Sequence, residues 1–352
     1  MGPNDAVEST QHFMRVDSQG KVRLSAGSLT AHVTFFTETM SQIDTAFVNG
    51  FHANFDLALQ QMQSRLEPYV RVETQTGEYD YFDRIGSLEV TEVTTRWADT
   101  VNSEITHDRR QSHIRDFDAS VLIDQKDKLR MLQDPTSSYI QTLVAAHNRK
   151  KDDLIIQAAF ATAKTGKAGG TDVTFPSGNV IATTGALTSN SYGVPNVASE
   201  GGDRNLTPGK LRTAKLILDK ASEKLGGDGE PHILACDPIQ IASLLTNTKV
   251  TSTDYNTVKA LVSGDIDTYM GFKFVRTTRL SATSSVRDCI AFVRSALMLV
   301  KKVDTTVRVT ERPDKRYAVQ AYTNSTMGAV RMWEEGVVKI QCLDTAGLGS
   351  IS

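Results

Sequence analysis

The chain has 352 residues, 39% of them hydrophobic, and a formal net charge of −2. That length admits about two or three domains with ample core, and near-neutrality excludes a protein that grips nucleic acid over its whole surface. Three widely spaced cysteines, Cys236, Cys289 and Cys342, form no CxxC pair, which argues against a disulfide framework or zinc site and suits buried thiols in a reducing compartment.

No apolar run approaches the ~20 residues that cross a bilayer, so no membrane partner is expected. The opening MGPNDAVEST lacks the basic start and apolar stretch of a signal peptide. Ala6 stands where the myristoylation pattern needs Ser or Thr.

Residues 1–40 are polar and weakly periodic, and read as an arm. From Met40 to Gln63, Ile43, Phe47, Phe51, Phe55, Leu59 and Met62 recur near helical spacing, weakened by Gly50. Residues 66–125 change character. They are rich in β-branched and aromatic residues and alternate from Leu88 to Val93, which predicts two long antiparallel arms with a tip near Trp97 to Glu104. The apolar content is too thin to bury both faces, so this hairpin needs a partner surface. Its acidic residues outnumber six arginines about two to one, and no lysine lies between Lys21 and Lys126.

Asp134 to about Lys164 reads as one long helix. Asp134 suits the N-cap and Pro135 the first position, Gly166 is a stop, and about thirty residues span roughly 45 Å. Alone, this pattern fits a core helix of a bundle. Arg149-Lys150-Lys151-Asp152-Asp153 interrupts its apolar face, so one side there meets solvent or another subunit. Residues 166–205, rich in Gly, Ser, Thr and Asn, are either a small β insertion or a flap.

Thr207-Pro208 opens a helix that ends near Leu225. His232 to Cys236 reads as a buried strand, and Asp237-Pro238 starts a helix with Ile239, Ile241, Leu244 and Leu245 inward. Tyr269–Val275, Asp288–Val293 and Ala296–Lys302 read as strands, giving an α+β region. From Thr305 the pattern is all β, with turns at Arg312–Lys315, Asn324-Ser325 and Glu334–Gly336.

Chemistry is scarce. His107, His113, Asp108 and Asp116 fit alternating charge on an exposed strand better than a metal site. Glu334-Glu335 fits a turn better than a catalytic pair, since neighbours on a strand face opposite ways. The GKAGG run lacks the spacing of a phosphate loop and leaves a helix rather than entering one. No catalytic residue, cofactor site or metal site is expected.

The order of parts carries a resemblance. The stretch HIRDFDASVLIDQKDKLRMLQDPTSSYIQTLVAAHNRKKDDLIIQAAFATAKTG, then LTPGKLRTAKLILDKA, then HILACDPIQIASLLTNTKV with LVSGDIDTYMGFKFVRTTRL, resembles the tailed-phage major capsid proteins of the Hong-Kong-97-type fold. The resemblance covers residues 66–343 and is diffuse, resting on order and pattern rather than on an invariant motif.

It implies an α+β fold with the following parts: an N-arm and helix (1–65), an extended β-hairpin loop (66–125), a peripheral domain with a spine helix (126–166), an insertion (167–206), an axial domain (207–302), peripheral strands (303–335) and a C-terminal strand and tail (336–352). It also implies a shell of pentamers and hexamers around packaged double-stranded DNA, with portal and separate scaffolding proteins as partners. The expected place is the virion capsid, assembled in the host cytoplasm.

Trp97, Arg109, Arg110, Arg149, Lys150 and Lys151 are the candidate inter-subunit contacts. From Pro208 onward twenty Lys and Arg face fifteen Asp and Glu, so that region and the acidic hairpin attract. Some family members crosslink through a loop lysine; residues 66–125 hold none, so a noncovalent shell is expected. An encapsulin-like compartment holding cargo enzymes is the alternative, and an enzyme with a pocket in 207–302 a distant one.

Overall fold

The computed structural model describes residues 13–16, 22–25, 61–86, 88, 90–92, 94–97, 99–100, 102–124, 126, 136–189, 204–225, 232–246 and 268–344. Contacts divide the chain into two compact units, residues 1–51 and 52–352. In the first, β1 (Phe13–Val16) and β2 (Val22–Ser25) pair antiparallel. The helix expected over 40–63 falls outside the described residues except for 61–63, which are irregular.

The second unit is built on helix α1, Thr136–Phe160. Asp134 and Pro135, its expected cap, lie outside the described residues. The helix ends earlier than Lys164 because its last carbonyls are taken. The buried Arg331 guanidinium donates to Ala159 O and Ala161 O, both at 2.9 Å. The next residues enter a ladder as β7 (Ala163–Thr165), paired with β8 (Thr171–Val173). Gly166, at φ +93°, turns the chain out of β7 rather than ending the helix. Residues 163–173 are therefore a β insertion. At 25 residues the helix is about 37 Å long.

One face of α1 lies on a four-stranded sheet ordered β3 (Arg71–Thr74), β15 (Leu297–Arg312), β16 (Ala318–Arg331), β6 (Arg115–Ile123). The turn expected at Asn324-Ser325 is absent. Both residues sit mid-strand in β16, with Asn324 between Thr306 and Asp118. Ladder bonds on both sides outweigh the local turn preference of Asn and Ser. A second four-stranded sheet is ordered β4 (Tyr79–Ile85), β5 (His107–His113), β7, β8. The hairpin proper is thus narrower than 66–125, because β3 and β6 belong to the sheet under the helix.

The third sheet has seven strands: β11 (Thr268–Tyr269), β12 (Phe272–Arg276), β10 (His232–Cys236), β14 (Val286–Phe292), β17 (Val337–Leu343) and β9 (Val180–Ile181), with β13 (Ala282–Thr283) on β14. Residues 269–275, expected as one strand, make a tight hairpin: Met270 (φ 51°) and Gly271 (φ 82°) give the two positive-φ positions such a turn needs. Helices α2 (Pro208–Leu225) and α3 (Pro238–Thr246) accompany this sheet.

Both are capped as expected, by the Thr207 hydroxyl accepting from Lys210 N–H (3.4 Å) and the Asp237 carboxylate accepting from Ile239 N–H (3.1 Å). Ile241 and Leu244 face inward, but Ile239 is exposed. Gln240 takes the inner position, accepting from Leu206 N–H (3.0 Å) and donating to Leu343 O (2.7 Å). Leu245's side chain is outside what is described.

One continuous core joins Ile155, Ile156 and Ala159 of α1 to Leu211, Ile217 and Leu218 of α2 and to Phe292, Val338 and Ile340 of the large sheet. The helix therefore lies along β16, from His147 against Thr323 and Ser325 to Ala159 beside Arg331, while Ile155, Ile156 and Ala159 also enter the large core. All three cysteines are buried and free, and burial pushes the Cys236 thiol well up.

Candidate inter-subunit surface

The β4–β5 ladder runs in register from Tyr79↔His113 to Ile85↔His107. Its side chains pair along the strands. Tyr79 stacks on His113 at 4.8 Å, and Arg109 Nε donates to Asp83 Oδ1 at 2.6 Å. That hydrogen bond holds the Asp83 carboxyl below its ordinary range. At the end of the ladder and beyond it, apolar side chains stand uncovered among polar ones: Ile85, Leu88 and Ile105 are exposed, Val90 is 98% exposed and Trp97 91%. Trp97 sits at φ 68°, a costly backbone for a large side chain, with Arg96 over its ring at 5.7 Å. So large an uncovered aromatic on a hairpin is a candidate contact.

At the root of the hairpin lies a charged hub. Arg110 is 0% exposed and pairs with Glu334. Arg84 pairs with the same carboxylate at 3.2 Å and with Asp108, donates to Met332 O at 2.6 Å, and lies 4.9 Å over Trp333. Burial lowers the Arg110 guanidinium's pKa and Glu334 opposes that shift. The Glu334–Gly336 turn is thus a counterion loop, held by Asn179 Nδ2 donating to Glu334 O and Val337 O at 2.8 Å. Arg110, expected between subunits, is instead buried inside its own chain. β5 places it on the covered face, one residue from the half-buried Arg109, which pairs with Asp83.

The charged interruption of α1 also turns inward. Lys151 is buried, with Nζ 2.9 Å from Asp304 Oδ1 and 3.4 Å from Glu67 Oε2. Burial raises the Asp304 carboxyl, but hydrogen bonds from Lys151 and Thr305 N–H outweigh it and hold that pKa at about 2. Asp152 is fully buried against residues 61–66, and Asp153 binds Arg279. Lys150 lies 5.0 Å over the Phe117 ring, and Arg149 is half-buried. The stretch read as facing solvent or another subunit is thus mostly an internal clamp, with Lys151 removed from the contact set. Of the six candidates, Trp97 lies on the open surface, and Arg109, Arg149 and Lys150 are half-buried.

His107, His113, Asp108 and Asp116 are not brought together as one site. Asp108 binds Arg84 and the Thr165 hydroxyl, Asp116 accepts from Thr326, and His113 faces Tyr79 and Glu78. From sequence, Asp152 reads as part of an outward charged interruption and Glu334 as part of a turn, and Arg331 is not singled out; a charge inside an apolar run points outward only by convention.

A family model described as phage capsid protein matches residues 43–344. The chain belongs to the phage capsid protein family. No curated protein matches the sequence.

Three solved capsids align over most of their length. The capsid of Ralstonia phage GP4 is 12% identical with a TM-score of 0.65, over 90% of this chain and 99% of that one. The capsid of cyanophage P-SCSP1u is 18% identical with a TM-score of 0.61, over 86% and 94%. The cyanophage Pam1 capsid is 13% identical with a TM-score of 0.60, over 90% and 100%. At such identities the likeness establishes the fold, which is the Hong-Kong-97-type α+β capsid fold. This capsid protein is a structural, shell-forming major capsid protein.

Proposed function

We propose that this capsid protein assembles as pentamers and hexamers into an icosahedral shell around packaged double-stranded DNA, in the host cytoplasm, with separate scaffolding and portal proteins. The observation that carries the reading is the uncovered apolar tip of the β4–β5 hairpin, which has no core of its own. Trp97 is its contact residue, and Arg109 in the ladder and Arg149 and Lys150 on α1 are proposed as further contacts.

Magnitudes rank these contacts. Covering a tryptophan removes on the order of 200 Å² from water, worth about 5 kcal/mol at ~25 cal/mol/Å². An exposed ion pair is worth under about 1 kcal/mol. The tip therefore supplies affinity, and the opposite charges of hairpin and C-terminal half act on encounter and register.

The test is the content of purified particles. Nuclease-resistant double-stranded DNA inside them supports the reading. Shells that hold a protein cargo and no DNA would establish the encapsulin-like alternative instead.

A further inference from the structure

We infer that Asp152 and Asp153 form a three-way clasp that positions the root of the N-terminal region against both the helix and the large sheet. Asp152 is mid-helix yet 0% exposed. A carboxylate so placed is tolerated only when its lone pairs are met. They are met by one segment: Arg65 N–H (3.1 Å to each oxygen), Leu66 N–H (3.1 Å), the Ser64 hydroxyl (2.5 Å) and the Gln61 amide. Asn148 adds a bond to Met62 O at 2.8 Å, and Lys151 reaches Glu67.

Asp153, about 100° further round the helix, takes a fork from Arg279 at 2.5 and 2.6 Å. Arg279 lies in the loop after β12, which is tied to the large sheet through Thr277 N–H donating to Cys236 O (2.9 Å). The third side closes where Arg65 donates to Arg276 O at 2.6 Å. Helix, segment 61–67 and loop 276–279 are thus joined pairwise.

The joints are charge-assisted and directional, so they fix geometry more than they bury surface. The clasp therefore fixes segment 61–67 relative to both the helix and the large sheet. On the reading that the chain builds a shell, loosening this joint lets copies differ in geometry, and the curvature of the shell varies with them. Asp152 and Asp153 act through the segments they hold and are positioning residues.

The test uses the full chain with Asp153→Asn, Arg279→Gln, Asp152→Asn and the swap of Asp153→Arg with Arg279→Asp. In unassembled protein, either single change at the 153–279 pair raises amide exchange at least tenfold in both 276–280 and 61–67, and the swap restores it. Asp152→Asn gives the same rise in 61–67. Electron microscopy of assembled variants then shows a broadened diameter distribution for each single change and a single diameter for the swap.

Exchange that rises only in 276–280 in the 153–279 variants would overturn the clasp, and unchanged diameters in every single variant would overturn its role in curvature. If the unaltered chain forms no shells, the shell reading fails, while the exchange measurement still decides the clasp.

Discussion

Glu334 stands between two guanidinium groups, Arg84 and Arg110, and Arg110 is fully buried. A pair of this kind adds little over an apolar replacement, but removing one partner leaves a charge stranded. Glu334→Gln is therefore expected to destabilise the unassembled chain by about 3 kcal/mol, read from its urea midpoint.

His147 is the other buried titratable group at a joint. Its Nε2 lies 3.0 Å from Thr323 Oγ1 and its Nδ1 2.8 Å from Ser325 Oγ. Thr323's hydroxyl donates to Ala119 O (3.1 Å), so it accepts from Nε2–H, and Nδ1 accepts from Ser325. A second proton on the ring reverses the Ser325 bond, whose hydroxyl must turn to accept, and puts a charge in a buried site. Burial, with Lys151 nearby, sets the His147 pKa below its ordinary value. The unfolded chain then binds the proton more readily. This contribution to stability is full above about pH 6.5 and falls as pH drops through that value. His147→Gln is expected to flatten the decline between about pH 7.5 and 5, measured by urea denaturation at each pH. Because His232 shifts the same way by burial, the difference between the two proteins isolates His147.

Among the elements, the β4–β5 hairpin depends on a glycine that no pattern singled out. A Cβ on Gly328 would stand 2.2 Å from His113 O and 3.1 Å from its carbonyl carbon, where the chain passes from β5 to β6 over β16. Backbone on both sides cannot yield as a side-chain end would. Gly328→Ala is expected to cost about 1–3 kcal/mol, seen as a lowered thermal midpoint. Trp97→Asp acts at the far end of the same hairpin. It should leave a folded, soluble subunit with an unchanged midpoint and a much reduced yield of particles on a sizing column.

Local signals marked most elements. The Thr207-Pro208 and Asp237-Pro238 caps place α2 and α3, and the strand-like runs 288–293 and 296–302 place β14 and the start of β15. What escaped was set by distant partners. The end of α1 depends on Arg331, 170 residues on from Ala161, and the Asn324-Ser325 turn yields to two neighbouring strands. Charge in the middle of α1 was read outward because single-sequence periodicity cannot show a buried counterion. Among the proposed contact residues, Trp97 stands exposed and Arg109 half-buried, whereas Arg110 and Lys151 are buried in the chain's own packing.

For the whole molecule, α1 braces the sheet that carries the hairpin and the core of the seven-stranded sheet. A braced body that leaves apolar side chains such as Val90 and Trp97 uncovered is suited to repeated association of identical copies. The hairpin region 66–125 has no lysine, so the shell is expected to be held noncovalently. Mature particles boiled in detergent should run as a single monomer band, and a ladder of covalent oligomers would contradict this.

Electron microscopy of the purified chain bears most directly on its role as a shell protein. Closed shells of regular diameter are the expected image. A field of small discrete particles, under conditions where the chain is folded, would contradict it.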